Sequence, residues 1–540
     1  MRHLKVAPYW LHLLIVVVLI LGVFFRFFNL DGKVYWHDET YTSLRISGYT
    51  AAEVKQQIFN GSVITRESFA QYQRPNLEKN FGDTIKSLAI EDPQHPPLYY
   101  VIARFWVQIF GNSVTTMRSL SAVISLLVFP CLYWLCRELF HVPLSVPSLA
   151  IALVAISPIH LVYAQEAREY ILWIVAILLC SASLLRALRL EAVDKYNLAL
   201  GQKIPHRTIT WGIYAVTLAL SFYTFLLSGF VAISHGIYII AIAKFRFTQT
   251  VKAYVLATLM GFLAFTPWMV VVIANFLQFD NATAWTKTQL PLETLVQSWL
   301  LQLTRIFFDV DFSFTNNYNW LITVFFLSFI GYAIYFLCRT THYKVWLFIM
   351  SMIIVPVVPL ILPDLIFGGI RSLSERYLLP TYLGIQIAVA YLLATQLYNG
   401  MRSRRQIWQT IVILVIICGL VSSLASSQAD TWWSKVVSYG NPQVAKIINQ
   451  AERPLLISDS QGINYGNIFS LSYLVQPKVR FLLLNEQNIP EIPENFTDIY
   501  LLNPTDTWRE AIETRYNAPA NVVYGDNYFL LWKLAKPNKN

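Results

Sequence analysis

YWLHLLIVVVLILGVFFRFF, residues 9–28, is followed by NLDGKVYWHDETYT, residues 29–42, and the junction between them decides how the chain is read. The first stretch is almost wholly apolar and about as long as a bilayer crossing requires, about 20 residues. It lacks a small-residue cleavage site and leads into further apolar runs, so it predicts a retained first helix rather than a signal peptide. The chain then presents two adjacent carboxylates, Asp38 and Glu39, at the membrane–water boundary. Charged groups held against a membrane are costly and mark candidate functional positions. The plainer reading is the start of a solvated loop.

The composition agrees with a membrane protein. Hydrophobic residues make up 56% and charged residues 13% of the 540 residues, where ordinary globular domains carry about 25% charged residues. Eleven spans are predicted, at about 9–28, 114–138, 147–164, 170–188, 209–227, 229–244, 254–278, 319–338, 345–362, 377–397 and 407–426. Basic residues set the orientation, because Lys and Arg collect in short cytoplasmic loops. Arg2 and Lys5 precede the first span, and Arg137 ends the second. Arg186, Arg189, Lys195, Lys203 and Arg207 follow the fourth. Lys244, Arg246 and Lys252 follow the sixth, Arg339 and Lys344 the eighth, and Arg402, Arg404 and Arg405 the tenth. All fall on one side if the N-terminus is cytoplasmic. The net charge of +10 is then a topology signal and not a nucleic-acid footprint.

This orientation predicts four extracytoplasmic stretches, 29–113, 165–169, 279–318 and 363–376, joined by a tail from 427. The segment 97–110 is expected to be an interfacial helix, since a crossing there would break the alternation of basic loops. The organisation expected is a transmembrane catalytic domain over 1–426, its first external loop at 29–113, and an extracytoplasmic α/β domain over 427–540. Within the tail, 454–459, 479–484, 498–503 and 527–534 read as strands and 507–516 as a helix. The five cysteines all sit in or at the edge of predicted spans, so no external disulfide framework is expected.

The unusual polar clusters fall on the outer side. After Asp38-Glu39 comes EDPQHPP (91–97), whose prolines fix the backbone around His95. A simple turn before a helix is the alternative there. AQEAREY (164–170) places three charges between two apolar runs without a flexible spacer. RSLSERY (371–377) again enters a span, with a structural salt bridge from Glu375 to Arg376 or Arg371 as the plain reading. Arg26 closes the first span, where snorkelling to the interface would account for it. Arginine binds phosphate through paired hydrogen bonds, and a carboxylate can accept a proton from an incoming hydroxyl or amine. Together they suit transfer of a group off a lipid phosphate.

WHDETYT (36–42), HPPLYY (95–100), SPIHLVYAQEAREY (157–170) and SERYLLP (374–380) resemble landmarks of the integral-membrane GT-C glycosyltransferases. The branch is that of the protein O-mannosyltransferases and aminoarabinose transferases. The motifs stand in the family's order over about residues 9–400; each is weak alone, and the tail is similar only loosely. The resemblance implies a GT-C fold and an inverting glycosyltransferase of the plasma membrane, of a bacterium. Its donor would be a polyprenyl-phosphate-linked sugar and its acceptor an extracytoplasmic lipid, glycan or protein. It implies Asp38 as general base, with Glu39 orienting it or holding the acceptor. It places His95, Glu166, Arg168, Tyr170, Arg376 and Tyr377 at the donor phosphate, with Arg26 as a further partner of Asp38 or the phosphate. Relatives in the aminoarabinose branch carry a lysine after an acidic residue where this chain has Gln94-His95, which weakens the carry-over of a metal site. A divalent metal stays open: Asp38, Glu39, His95 and Glu166 are suitable ligand types without a spacing signature. A transporter or flippase of lipid-linked glycans is the alternative function. It predicts paired halves or midplane charges, and the sequence shows neither. A non-catalytic scaffold would leave the QEAREY hairpin unexplained.

Overall fold

The computed structural model describes residues 9–141, 145–199, 206–311, 317–398 and 401–535. Arg2, Lys5 and Lys203 lie outside these. The chain divides into two compact units, one of residues 1–28, 92–99 and 119–427, the other of residues 29–91, 100–118 and 428–540.

Helices dominate the first unit. Among the described residues, eight helices of the chain are long and apolar enough to cross a membrane. They are Tyr9–Phe27, Val114–Leu139, Tyr170–Ala192, Gln249–Ala274, Asn319–Thr340, Tyr343–Phe367, Glu375–Gln396 and Arg402–Ser438. The protein is an integral membrane protein. A further pair of helices is apolar and long enough only when taken together, and it is bent: Ser145–Ala155 and Pro158–Ala164 meet at 63°. Pro158 has no N–H and its ring clashes with the turn before it, so the helix cannot run through. The break frees carbonyls, and Arg26 takes them. Its guanidinium donates to Ala155 O (2.5 Å), Val154 O (3.1 Å) and Gly22 O (2.8 Å). The two remaining expected spans appear as helices His206–Thr224 and Ser228–Ile242. Thr208, Thr210, Thr217 and Ser221 dilute the apolar character of the first. The second has 15 residues, about 22 Å at 1.5 Å per residue, short of a core about 30 Å thick.

The second unit is built on a six-stranded sheet. Its strands are β1 (Asn60–Thr65), β2 (Pro454–Asp459), β3 (Arg480–Leu484), β4 (Asp498–Leu502), β5 (Ala520–Gly525) and β6 (Leu530–Leu534). The order is β1-β3-β2-β4-β6-β5. The central three strands are parallel and the outer pairings antiparallel. Strand alternation sends Leu455, Ile457, Leu482 and Leu501 to one face, where Trp508 and Ile512 of helix Asp506–Tyr516 cover them. Leu456, Phe481, Leu483, Tyr500 and Leu502 face the other way. There they join Val54, Phe59, Phe69 and Tyr72 from the first loop and Ile468 and Phe469 from helix Asn464–Ser472. A sheet covered on both faces needs near-continuous apolar strands, and β2 is buried at every position. The first loop thus supplies both an edge strand and part of one core.

Helix Leu98–Phe110 has 13 residues, about 20 Å. Arg104 ties it to the loop through Ile46 O (2.6 Å), Lys79 O (2.5 Å) and Thr84 Oγ1 (3.0 Å).

Candidate functional site

In the loop-and-tail unit the WHDE motif opens helix His37–Ser47. Trp36 is extended, and Glu39, at the third helical position, reaches back to Trp36 N (3.4 Å). Asp38 and Glu39 both fall in the first turn, where the helix dipole favours anions. Gly48, at φ +92°, ends the helix in the left-handed conformation.

The two carboxylates have different surroundings. Glu39 is fully buried and Asp38 is half-buried. Arg118 grips Glu39 with both arms, Nε to Oε1 at 2.8 Å and Nη2 to Oε2 at 2.6 Å. The same guanidinium donates to Leu30 O (2.7 Å), Lys33 O (2.9 Å) and Val34 O (2.8 Å). Lys435 of the tail adds a second cation 3.5 Å from Glu39 Oε2 and lies over the Trp36 ring. The tail also holds the backbone. Val34 N donates to Asp430 O (2.8 Å), and His37 N donates to Ser438 Oγ (3.0 Å), which in turn donates to Asn467 Oδ1 (2.7 Å). Helix Asn464–Ser472 comes so near that a Cβ at Gly466 would collide with the His37 ring. Between Lys435 and Ser438, Val436 is held at φ +34°, a strained conformation for a β-branched residue and of the kind that collects at functional sites.

In the helical unit the HPP and QEAREY motifs meet. His95 Nδ1 lies 2.7 Å from Glu169 Oε1, and His95 Nε2 lies 3.2 Å from Arg168 Nη2. Trp268 Nε1 donates to Pro93 O (3.1 Å) and anchors the turn. Arg168 also reaches Glu169 (3.4 Å) and Tyr170 Oη (3.4 Å). The buried Tyr170 ring carries two guanidiniums, Arg168 at 5.6 Å and Arg376 at 5.5 Å from its centroid. Arg376 sits among three rings, the others being Trp285 (5.4 Å) and Tyr377 (5.6 Å). Glu375 beside it pairs with Arg305 at 2.9 Å. Glu166 is buried in the same hairpin, its carbonyl accepting from Arg168 N (2.8 Å), and Gln165 caps the first helix through Phe25 O and Phe28 O. Five of the residues expected at a phosphate, His95, Arg168, Tyr170, Arg376 and Tyr377, therefore form one cluster. Arg26 is held at the helix break.

Burial opposes the charge on Glu169, but Arg168 and His95 override it and hold the carboxyl at about 2. A depressed carboxylate stabilises the fold above its ordinary value near 4.5, and that contribution is lost as pH falls from there toward 2. Melting temperature is expected to drop across this window more steeply in the native protein than in Glu169→Gln. Parallel curves for the two would remove this pair from the acid response.

Among the described residues no three His, Cys, Asp or Glu side chains gather to hold a metal. Two of the four candidate ligands do not fit one as placed: Glu39 faces two cations, and both His95 nitrogens lie against Glu169 and Arg168.

Sequence reasoning passed over Arg118, Lys435, Glu169, Trp285 and Arg305 as site residues. Arg118 carried a signal: it is a lone cation inside an apolar run, which is costly without a partner. Lys435 and Trp285 carried none, since only the fold brings them near.

No protein-family model matches the sequence, and no curated protein sequence matches it. Solved structures do. ArnT from Cupriavidus metallidurans, crystallised bound to undecaprenyl phosphate, superimposes with a TM-score of 0.54 at 12% identity, over 98% of this chain and 98% of that one. Its apo state gives 0.54 at 12% identity over 97% of each chain. The Archaeoglobus fulgidus oligosaccharyltransferase tethered with an acceptor peptide gives 0.50 at 12% identity, over 95% of this chain and 69% of that chain. Likeness over nearly the whole length, together with the apolar helices and the small sheet, shows that the chain has the GT-C fold of membrane glycosyltransferases.

Proposed function

We propose that this protein is an inverting glycosyltransferase that moves a sugar from a polyprenyl-phosphate-linked donor to an extracytoplasmic acceptor. The observation that carries the reading is the pair of guanidiniums, Arg168 and Arg376, on one buried tyrosine ring. Guanidinium matches phosphate geometry, and a phosphate seated at this ring would face both. A fold-mate, ArnT, binds undecaprenyl phosphate, which supports a lipid phosphate as that anion. In this reading Arg168, Arg376, Tyr170 and Tyr377 hold the leaving phosphate, with His95 and Glu166 completing the pocket. Asp38 is the general base: it takes the acceptor's proton as the acceptor attacks the anomeric carbon and the carbon–oxygen bond to phosphate breaks. Glu39, held by Arg118, positions Asp38, and Arg26 serves the helix break. The site and the tail domain 427–540 face outward from a bacterial plasma membrane, with the N-terminus cytoplasmic.

Arg376→Ala is expected to raise the KM for the lipid-phosphate donor about tenfold or more, the weight of a charge-assisted contact, and to leave the acceptor KM unchanged. Equal effects on both substrates would remove Arg376 from the phosphate site. Mass spectrometry of envelope lipids and glycans from cells with and without the protein should reveal a missing sugar and its carrier. Identical profiles, from cells shown to express the protein, count against the reading.

A further inference from the structure

In the loop-and-tail unit a six-residue helical turn, Trp433–Ser438, reaches the WHDE motif twice. Lys435 brings its ammonium to Glu39 Oε2 (3.5 Å), and Ser438 brings its hydroxyl to His37 N (3.0 Å). His37 and Glu39 are the two neighbours of Asp38 in the chain. One turn of the tail therefore holds the residue on each side of the proposed base.

The contact with His37 answers a need of the local sequence. The leading N–H groups of a helix lack partners within it, and a Ser, Thr, Asp or Asn at the cap usually accepts from one of them. Helix His37–Ser47 is capped by Trp36, whose indole offers no oxygen. Ser438, 401 positions away in the chain, supplies the missing acceptor.

The hydroxyl is oriented for this role. Ser438 Oγ donates to Asn467 Oδ1 (2.7 Å), which leaves its lone pairs for His37 N. The Asn467 amide is set in turn by its other contacts. Its Nδ2 donates to Val437 O (2.9 Å), and its Oδ1 also accepts from Asn441 Nδ2 (3.1 Å). Ser438, Asn441 and Asn467 are all buried. Away from water such bonds are electrostatically stronger, and they hold the start of the helix.

We propose that Ser438 is a positioning residue for sugar transfer. With Asn467 behind it, Ser438 fixes the first turn of helix His37–Ser47 so that the Asp38 carboxylate meets the incoming acceptor. The inference rests on the reading of Asp38 as general base. A base displaced by about 1 Å loses much of its effect on rate, while donor binding, which belongs to the helical unit, stays as it was.

The test compares Ser438→Ala with Ser458→Ala in the full-length protein. Ser458 is an equally buried tail hydroxyl and donates to Leu502 O (3.1 Å) within the sheet. Transfer from a synthetic polyprenyl-phosphate sugar and amide exchange over residues 36–42 are measured on each. Ser438→Ala is expected to lower kcat about tenfold and to leave the donor KM within about twofold. It should also quicken exchange over 36–42 and not in the sheet. Ser458→Ala should keep the native kcat and the native exchange over 36–42. A native kcat in Ser438→Ala overturns the proposal, as does an equal fall in both variants or a donor KM that rises as kcat falls. Exchange over 36–42 that stays native, or that quickens together with the sheet, also overturns it. Absence of transfer by the native protein, seen before any variant is compared, overturns the sugar-transfer reading and the positioning role together.

Discussion

Asp38→Asn is expected to lower sugar transfer by about a thousandfold or more, within the usual reach of a lost general base together with its charge, and to leave the fold and donor binding unchanged. The amide is isosteric and stays in the first turn of helix His37–Ser47. The half-buried Asp38 can change without breaching the packing, because the buried anchor of the motif is its neighbour Glu39. The check is transfer from a synthetic polyprenyl-phosphate sugar, with donor KM and melting temperature recorded on the same preparation. Undiminished turnover in Asp38→Asn sinks the assignment of the base.

Arg118→Met is expected to destabilise the loop-and-tail unit by about 3–5 kcal/mol, the usual cost of stranding a buried charge. Glu39 would lose both arms of its main cation, and Leu30, Val34 and Lys33 would lose a donor each. Lys435, at 3.5 Å, only partly compensates. Combining Arg118→Met with Glu39→Gln should recover part of the loss, because the stranded charge is gone. Thermal melts of the two single variants and the double close the cycle, and additive effects would mean that Glu39 and Arg118 are not coupled.

The crossings were legible wherever apolar length alone decides them, as in Tyr9–Phe27 or Gln249–Ala274. The bend at Pro158 was not taken from the sequence, although proline supplies its cause; what completes it is Arg26, 129 residues from Ala155. In the tail, four strands follow from short continuous apolar runs between polar residues, and helix Asp506–Tyr516 from the polar stretch between two of them. β5, Ala520–Gly525, is an exposed outer strand and lacks that pattern. β1 read as part of a polar loop because one of its sides packs only once β3 arrives. The polar motifs at 95–97 and 164–170 pointed at each other through chemistry, and the structure brings His95 and Arg168 together. Trp285 and Lys435 owe their roles to long-range placement, which no local pattern encodes.

The pairing of β1 with β3 has a consequence for how the chain is made. Thr65 lies against Arg480, and Phe69 packs on Phe481, about 415 residues later in synthesis. At about 5–20 residues per second, the first loop waits some 20–80 seconds for its partner strand. Until then, Val54, Phe59, Phe69 and Tyr72 have no sheet to cover. A chain cut short before β3 would therefore leave an unfolded loop near its beginning as well as a missing end, and quality control has two distant places at which to detect one failure.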